Sequence, residues 1–136
     1  MSAPILLVED TSSLAMLYET VLRKAGYRVV AAASLQEART EWKKSKSDTI
    51  LLDLTLPDGD GMELMEEVHQ RNPEARVIVI TANGSINRAV EAMRNGAFDF
   101  LVKPFDENRL LTAVKNASAN DGIRSSAPAD GAENDE

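Results

Sequence analysis

Five residues able to do chemistry stand where apolar runs stop. Ile5-Leu-Leu-Val8 ends on Glu9 and Asp10, Thr49-Ile-Leu-Leu52 on Asp53, Arg76-Val-Ile-Val-Ile80 on Thr81, and Phe98-Asp-Phe-Leu-Val102 on Lys103. A carboxylate closing a buried run is costly unless it is paired or metal-bound. Three of them brought together repel unless one is protonated or a cation lies among them. A hard divalent ion meets that need. Mg²⁺ suits it best, because it accepts a few carboxylates and completes its octahedron with water. Carboxylates also act as nucleophiles that form aspartyl-phosphate. With Mg²⁺ and Lys103 neutralising phosphoryl oxygens, and the Thr81 hydroxyl donating a hydrogen bond, one carboxylate can accept a phosphoryl group. Asp53, closing the third run, is the choice.

For these side chains to meet, the runs must be strands of one sheet. Leu14, Leu17, Tyr18, Val21 and Leu22 follow the first run at helical spacing, and Gly26 stops them. Tyr27-Arg-Val-Val-Ala-Ala32 is a second, less apolar strand, expected at an edge. Ser34 with Glu37 three residues on has capping-box spacing, ahead of Leu35, Ala38 and Trp42. Leu64, Met65 and Val68 mark a third helix ending before Pro73. A fourth starts near Ser85 and carries Ile86, Ala89, Val90 and Met93, whose stripe is expected in the core. Gly96 ends it, and Leu110, Leu111 and Val114 mark a fifth.

Continuous apolar strands alternating with helices imply a parallel sheet covered on both faces. The expected fold is α/β, a flavodoxin-like doubly wound (βα)5 sheet of strand order 2-1-3-4-5. Ligands of such sheets bind outside the carboxyl ends of the strands, where the order reverses between the first and third. The five residues all belong to that edge. Residues 1–117 are expected to form this one domain, and residues 118–136, rich in Ala, Ser, Asn, Asp and Gly, a linker or disordered acidic tail.

Composition narrows the function classes. Among 136 residues, 43% are hydrophobic and 27% charged, and no apolar run approaches the roughly 18 residues of a membrane span. The start has no basic region typical of a signal peptide, and cysteine is absent, which suits a cytoplasmic location. Of the net charge of −7, residues 121–136 carry −4. Lys43-Lys44-Ser-Lys46 is the one basic cluster and reads as a helix end, so direct nucleic-acid binding by this chain is not expected. His69, the only histidine, reads as a surface residue of the third helix.

Leu6-Leu-Val-Glu-Asp10, Leu51-Leu-Asp53-Leu-Thr-Leu-Pro57, Val79-Ile-Thr81-Ala82 and Phe100-Leu-Val-Lys103-Pro104 resemble the receiver domain of two-component response regulators. The run from Thr81 through Ala89-Val-Glu-Ala-Met-Arg-Asn-Gly-Ala97 to Asp99-Phe-Leu looks like the NtrC-type branch, including quorum-sensing regulators of the LuxO kind. The resemblance implies Asp53 as phospho-acceptor. It implies Mg²⁺ held directly by Asp10, Asp53 and the backbone carbonyl of Thr55, with Glu9 acting mainly through water. Thr81 would be the switch hydroxyl, Phe100 the aromatic that changes rotamer with it, and Lys103 the contact to the phosphoryl group, joined to Pro104 by a cis bond. Glu9 stands where aspartate is common, Phe100 where some members have tyrosine, and Ala82 is small enough to leave the pocket open.

The implied partners are a histidine kinase or phosphotransfer protein as donor, a second copy through helix four, strand five and helix five, and an output domain beyond the C-terminus. A sigma-54-dependent transcription regulator is the implied setting, although no P-loop is present here. Such a module catalyses its own phosphorylation and dephosphorylation without being a turnover enzyme. A pseudo-receiver, an interaction module needing no phosphorylation, is the alternative. A haloacid-dehalogenase-like phosphatase resembles D-x-D, and here the second position is Thr55. A flavodoxin-like electron carrier needs a phosphate-cradling loop where Glu9-Asp-Thr-Ser-Ser13 stands.

Overall fold

Successive residues of a strand point to opposite faces of the sheet, so a strand covered by helices on both faces is apolar throughout. In the computed structural model, which describes residues 3–82 and 84–123, three strands meet that condition. They are β1 (Ile5–Val8), β3 (Thr49–Asp53) and β4 (Arg76–Thr81), each buried along its whole length. β2 (Val29–Ala32) and β5 (Asp99–Val102) are partly exposed and form the edges. All pairings are parallel and the order is β2-β1-β3-β4-β5, as expected for the flavodoxin-like arrangement.

The period of two divides the core. Leu6, Val8, Ile50, Leu52, Val77 and Val79 pack on one face with Leu35 of α2 (Leu35–Ser45) and Leu64, Met65 and Val68 of α3 (Gly61–Arg71). Leu7, Leu51, Ile78 and Ile80 pack on the other with Leu22 of α1 (Ser12–Lys24) and Leu110 and Val114 of α5 (Glu107–Ile123). Each fully buried leucine or isoleucine contributes about 1.5–3 kcal/mol relative to its exposed state.

Between β3 and α3 the chain makes a small antiparallel ribbon, Thr55–Leu56 with Gly59–Asp60, that periodicity does not reveal because each arm has two residues. Its tip reaches α2. The Asp58 carboxylate accepts the N–H groups of Leu35 at 2.8 Å and Gln36 at 3.0 Å, and Ser34 Oγ accepts that of Glu37 at 3.1 Å. The first turn of α2 is thereby satisfied.

The Leu35 N–H holds the Asp58 carboxyl below the usual carboxylate range, with burial opposing and the Gln36 N–H adding to the effect. A depressed folded pKa gives stability that is present above the unfolded value of about 3.9 and is lost as pH falls through the folded one. Asp58→Ala is therefore expected to lower the urea midpoint at pH 7, with the difference from wild type shrinking toward pH 3. A difference constant across that range would assign the effect to packing instead.

Three expectations need correction. The stripe of α4 (Ile86–Arg94) is not core: Ile86, Val90 and Met93 are 52%, 45% and 40% exposed, while Ala89 and Ala92 face the sheet. His69 is no surface residue. It is half-buried, with Nε2 at 3.0 Å from the Ala75 carbonyl. The boundary drawn at 117 falls inside α5, which continues to Ile123. Residues 124–136 of the expected tail lie outside the described residues.

Candidate functional site

Parallel strands carry their last residues to one edge, and here that edge gathers Glu9 and Asp10 after β1, Asp53 closing β3, Thr81 closing β4 and Lys103 after β5. The Glu9 N–H still bonds the Ala32 carbonyl at 3.0 Å, which prolongs the β1 ladder and holds the Glu9 side chain inward with no exposure at all. Asp10, one residue later, faces solvent. Asp53 and Thr81 are buried.

Lys103 spans the inner acids. Its Nζ donates to Asp53 Oδ2 at 2.9 Å and lies 3.0 Å from Glu9 Oε1, an ion pair not aligned as a hydrogen bond. The other oxygens meet backbone: the Thr55 N–H donates to Asp53 Oδ1 at 2.8 Å and the Thr11 N–H to Glu9 Oε2 at 3.2 Å. Burial pushes the Glu9 carboxyl up, against the Lys103 ammonium beside it and the Thr11 N–H, and the charge on Asp53 adds to the rise. Burial alone would lower Lys103, but its hydrogen bond to Asp53 and its ion pair with Glu9 outweigh it and raise the ammonium above its ordinary value. The cation is held where the acids need it.

Three carboxylates facing one ammonium leave an excess of negative charge. One oxygen from each of Glu9, Asp10 and Asp53 lies within 4.8 Å of the others, and two of the three residues are buried. That donor set fits a hard divalent cation such as Mg²⁺. Thr81 Oγ1 is buried with no hydrogen-bond partner among the described residues. Leaving such a group unpaired costs about 1–3 kcal/mol, which marks it as a donor awaiting an acceptor.

The remaining sequence-predicted residues surround this centre. The Lys103–Pro104 peptide bond is cis. Thr55 begins the ribbon and touches the site through its backbone. Phe100 is half-buried on β5 and paired with Val79, as Thr81 is with Val102, so the period of two places Phe100 and Thr81 on the same face of the sheet. Ala82 is exposed beside Thr81.

Three further residues shape the site without having been singled out. A Cβ built on Gly61 would lie 2.6 Å from the Asp53 carbonyl oxygen, so this position admits no side chain. Asp60 caps α3 through the Met62 N–H at 3.0 Å, a role its place before a helical run would have signalled. Arg88 of α4 donates to the same Asp60 oxygen, a pairing with no local signature.

Residues 5–115 match the response regulator receiver domain as a family. The chain belongs to that family. Among curated relatives of this receiver, the regulatory protein LuxO of Vibrio vulnificus is 43% identical over 111 residues, covering 82% of this chain and 24% of LuxO. The chain thus spans about a quarter of the length of that relative. The chemotaxis protein CheY of Thermotoga maritima is 34% identical over 119 residues, covering 87% of this chain and 99% of CheY. The crystal structure of NtrX from Brucella abortus superposes with a TM-score of 0.85 at 30% identity, covering 92% of this chain and 28% of NtrX. The NtrC-type, LuxO-like resemblance read from residues 81–101 accords with these similarities.

Proposed function

We propose that this receiver takes a phosphoryl group from a histidine kinase or phosphotransfer protein onto Asp53, with Mg²⁺ as cofactor, and later loses it to water. The observation carrying this reading is the gathering of two buried carboxylates, an exposed third, a shared ammonium and an orphaned Thr81 hydroxyl at one edge of the sheet. Glu9, Asp10, Asp53 and the Thr55 carbonyl are the residues to hold the ion. When bound, the ion would offset charge on the phosphoryl oxygens.

An Asp53 carboxylate oxygen forms the bond to phosphorus while the bond from phosphorus to the donor imidazole nitrogen breaks, and the imidazole keeps the electron pair. Lys103 transfers its hydrogen bond from Asp53 to a phosphoryl oxygen. The Thr81 hydroxyl gains the acceptor it lacks. In hydrolysis water attacks phosphorus from the side left open by Ala82, the bond from phosphorus to Asp53 breaks with its electron pair returning to the carboxylate, and inorganic phosphate leaves.

Phosphorylation then biases a pre-existing equilibrium in which Thr81 and Phe100 move inward and the face of α4, β5 and α5 changes. That face, with Ile86, Val90 and Met93 exposed, would serve a second copy or an output domain. The NtrC-type resemblance supports a setting of transcription control with a sigma-54-dependent partner domain, in the cytoplasm. Among the described residues no helix is long and apolar enough to cross a membrane.

Intact-mass spectrometry after incubation with acetyl phosphate tests the reading. A gain of one phosphoryl group, about 80 Da, that requires Mg²⁺ is the expected result. No gain in folded protein with Mg²⁺ present would replace the proposal with a pseudo-receiver that acts by interaction alone.

A further inference from the structure

Among the described residues, α4 alone of the five helices buries nothing larger than alanine. Its N-cap Ser85 makes no side-chain capping bond, and its first turn carries no acid. Few apolar contacts and an uncapped start put a helix at the low end of local stability. What reaches from α4 to the loop after the phospho-acceptor is Arg88. Nη2 donates to Asp60 Oδ1, while Nη1 donates to Glu91 Oε1 at 2.8 Å, one turn along the same helix.

Asp60 is well placed to carry a signal. It caps α3, and its backbone pairs across the ribbon with Thr55, whose N–H donates to Asp53 Oδ1 at 2.8 Å. A chain of bonded groups therefore runs from the Asp53 carboxylate through Thr55, the ribbon and Asp60 to Arg88, without using Thr81 or Phe100.

We propose that the Arg88–Asp60 ion pair is a latch that holds α4 in its unphosphorylated position, with Glu91 as the partner that keeps the guanidinium paired once α4 is released. The proposal rests on the reading that Asp53 takes a phosphoryl group. Phosphorylating Asp53 turns its carboxylate into a mixed anhydride, moving the charge onto the phosphoryl oxygens and weakening the acyl oxygen as acceptor for the Thr55 N–H, which loosens the first link and, through the ribbon, the hold of Asp60 on Arg88. The pair is half-exposed, with side chains 35% and 44% accessible, so it is worth the modest amount of a surface ion pair. On a helix anchored by two alanines that amount is enough to shift a population.

Hydrogen exchange of the full chain, without phosphoryl donor, tests the holding step. Arg88→Gln removes the charge and keeps helix propensity, while Asp60→Asn keeps an oxygen for the Met62 N–H. Amides of α4 are expected to exchange about three- to fivefold faster in each single variant and no faster still in the double variant, with β1, β3 and α2 unchanged. Unchanged α4 exchange, or effects that add in the double variant, overturns the latch. In a second arm, Arg88→Gln is expected to take up phosphoryl from acetyl phosphate with Mg²⁺ about threefold faster than wild type, because the released state is already populated. Faster exchange with an unaltered uptake rate reduces the pair to a structural clip and overturns its part in signalling. Wild type that takes up no phosphoryl group overturns the function proposed above and the latch with it. That failure is distinguishable because the exchange arm uses no donor.

Discussion

In Asp53→Ala, incubation with acetyl phosphate and Mg²⁺ is expected to leave the intact mass unchanged, where wild type gains one phosphoryl group. The loss should be complete rather than partial. Glu9 is fully enclosed and lies against Lys103, so it presents no oxygen to an incoming phosphorus. Asp10 is exposed beyond the end of β1 and, among the described residues, makes no ion pair with the ammonium that Asp53 shares. The fold should survive, because Lys103 keeps Glu9 as its partner and the Thr55 N–H belongs to an exposed residue that water can reach. The same variant should lose the rise in Tm that Mg²⁺ is expected to give wild type. A ligand at a hundred times its Kd stabilises the folded state by about 2.7 kcal/mol, and removing one of three carboxylates forfeits much of that. A phosphoryl gain retained in Asp53→Ala would move the acceptor to another residue and sink the assignment.

Among the described glycines whose Cβ contacts are known, Gly61→Ala is expected to have the largest effect on stability. The new Cβ would sit 2.6 Å from the Asp53 carbonyl oxygen and 3.0 Å from Leu54 Cα, both of them backbone atoms that cannot turn aside as a flexible side chain would. Relief requires moving the start of α3 or the end of β3, and overpacking of that kind costs about 3 kcal/mol. For a domain of this size that is a fall in Tm of about 10 °C. Displacement of the end of β3 should also slow phosphoryl uptake, because Asp53 is its last residue. Gly26→Ala is the control. Its Cβ meets nothing within 4 Å, and its cost arises from a φ of +99° alone, about 1–2 kcal/mol, with phosphoryl uptake unchanged. Equal uptake by Gly61→Ala and wild type would show that the close approach to Asp53 has no bearing on the site.

Strand order and the site's inner residues were legible for one reason. A parallel sheet sends every strand end to the same side, so reactive residues that close apolar runs must meet there, whatever lies between them. The unbroken apolar run of β3 likewise foretold a core on both faces. The fate of α4 was not legible, because periodicity shows that a helix has an apolar face without showing what covers it. Here the close approach to the sheet is taken by Ala89 and Ala92, and the larger residues are left outside. Nor could spacing reveal that Asp58 bonds the Leu35 and Gln36 N–H groups or that Asp60 meets Arg88. Such contacts join carboxylates of a short loop to distant partners, and they exist only once the ribbon has placed them. His69 was misjudged for a related reason, since its partner is a carbonyl of the following loop and not a side chain with a recognisable pattern.

The single tryptophan supplies the protein with a built-in observer. Trp42 is half-buried near the end of α2, with its indole N–H on the Ser47 carbonyl at 3.0 Å, just before β3 begins. Asp53 closes the same strand, and at about 3.3 Å per residue the two ends lie well over 10 Å apart. Its fluorescence should therefore follow unfolding of the whole domain and stay quiet when charge changes at the acidic edge. Melting and signalling can thus be watched in one cuvette, the first by emission and the second by any probe of the acids, without either trace contaminating the other.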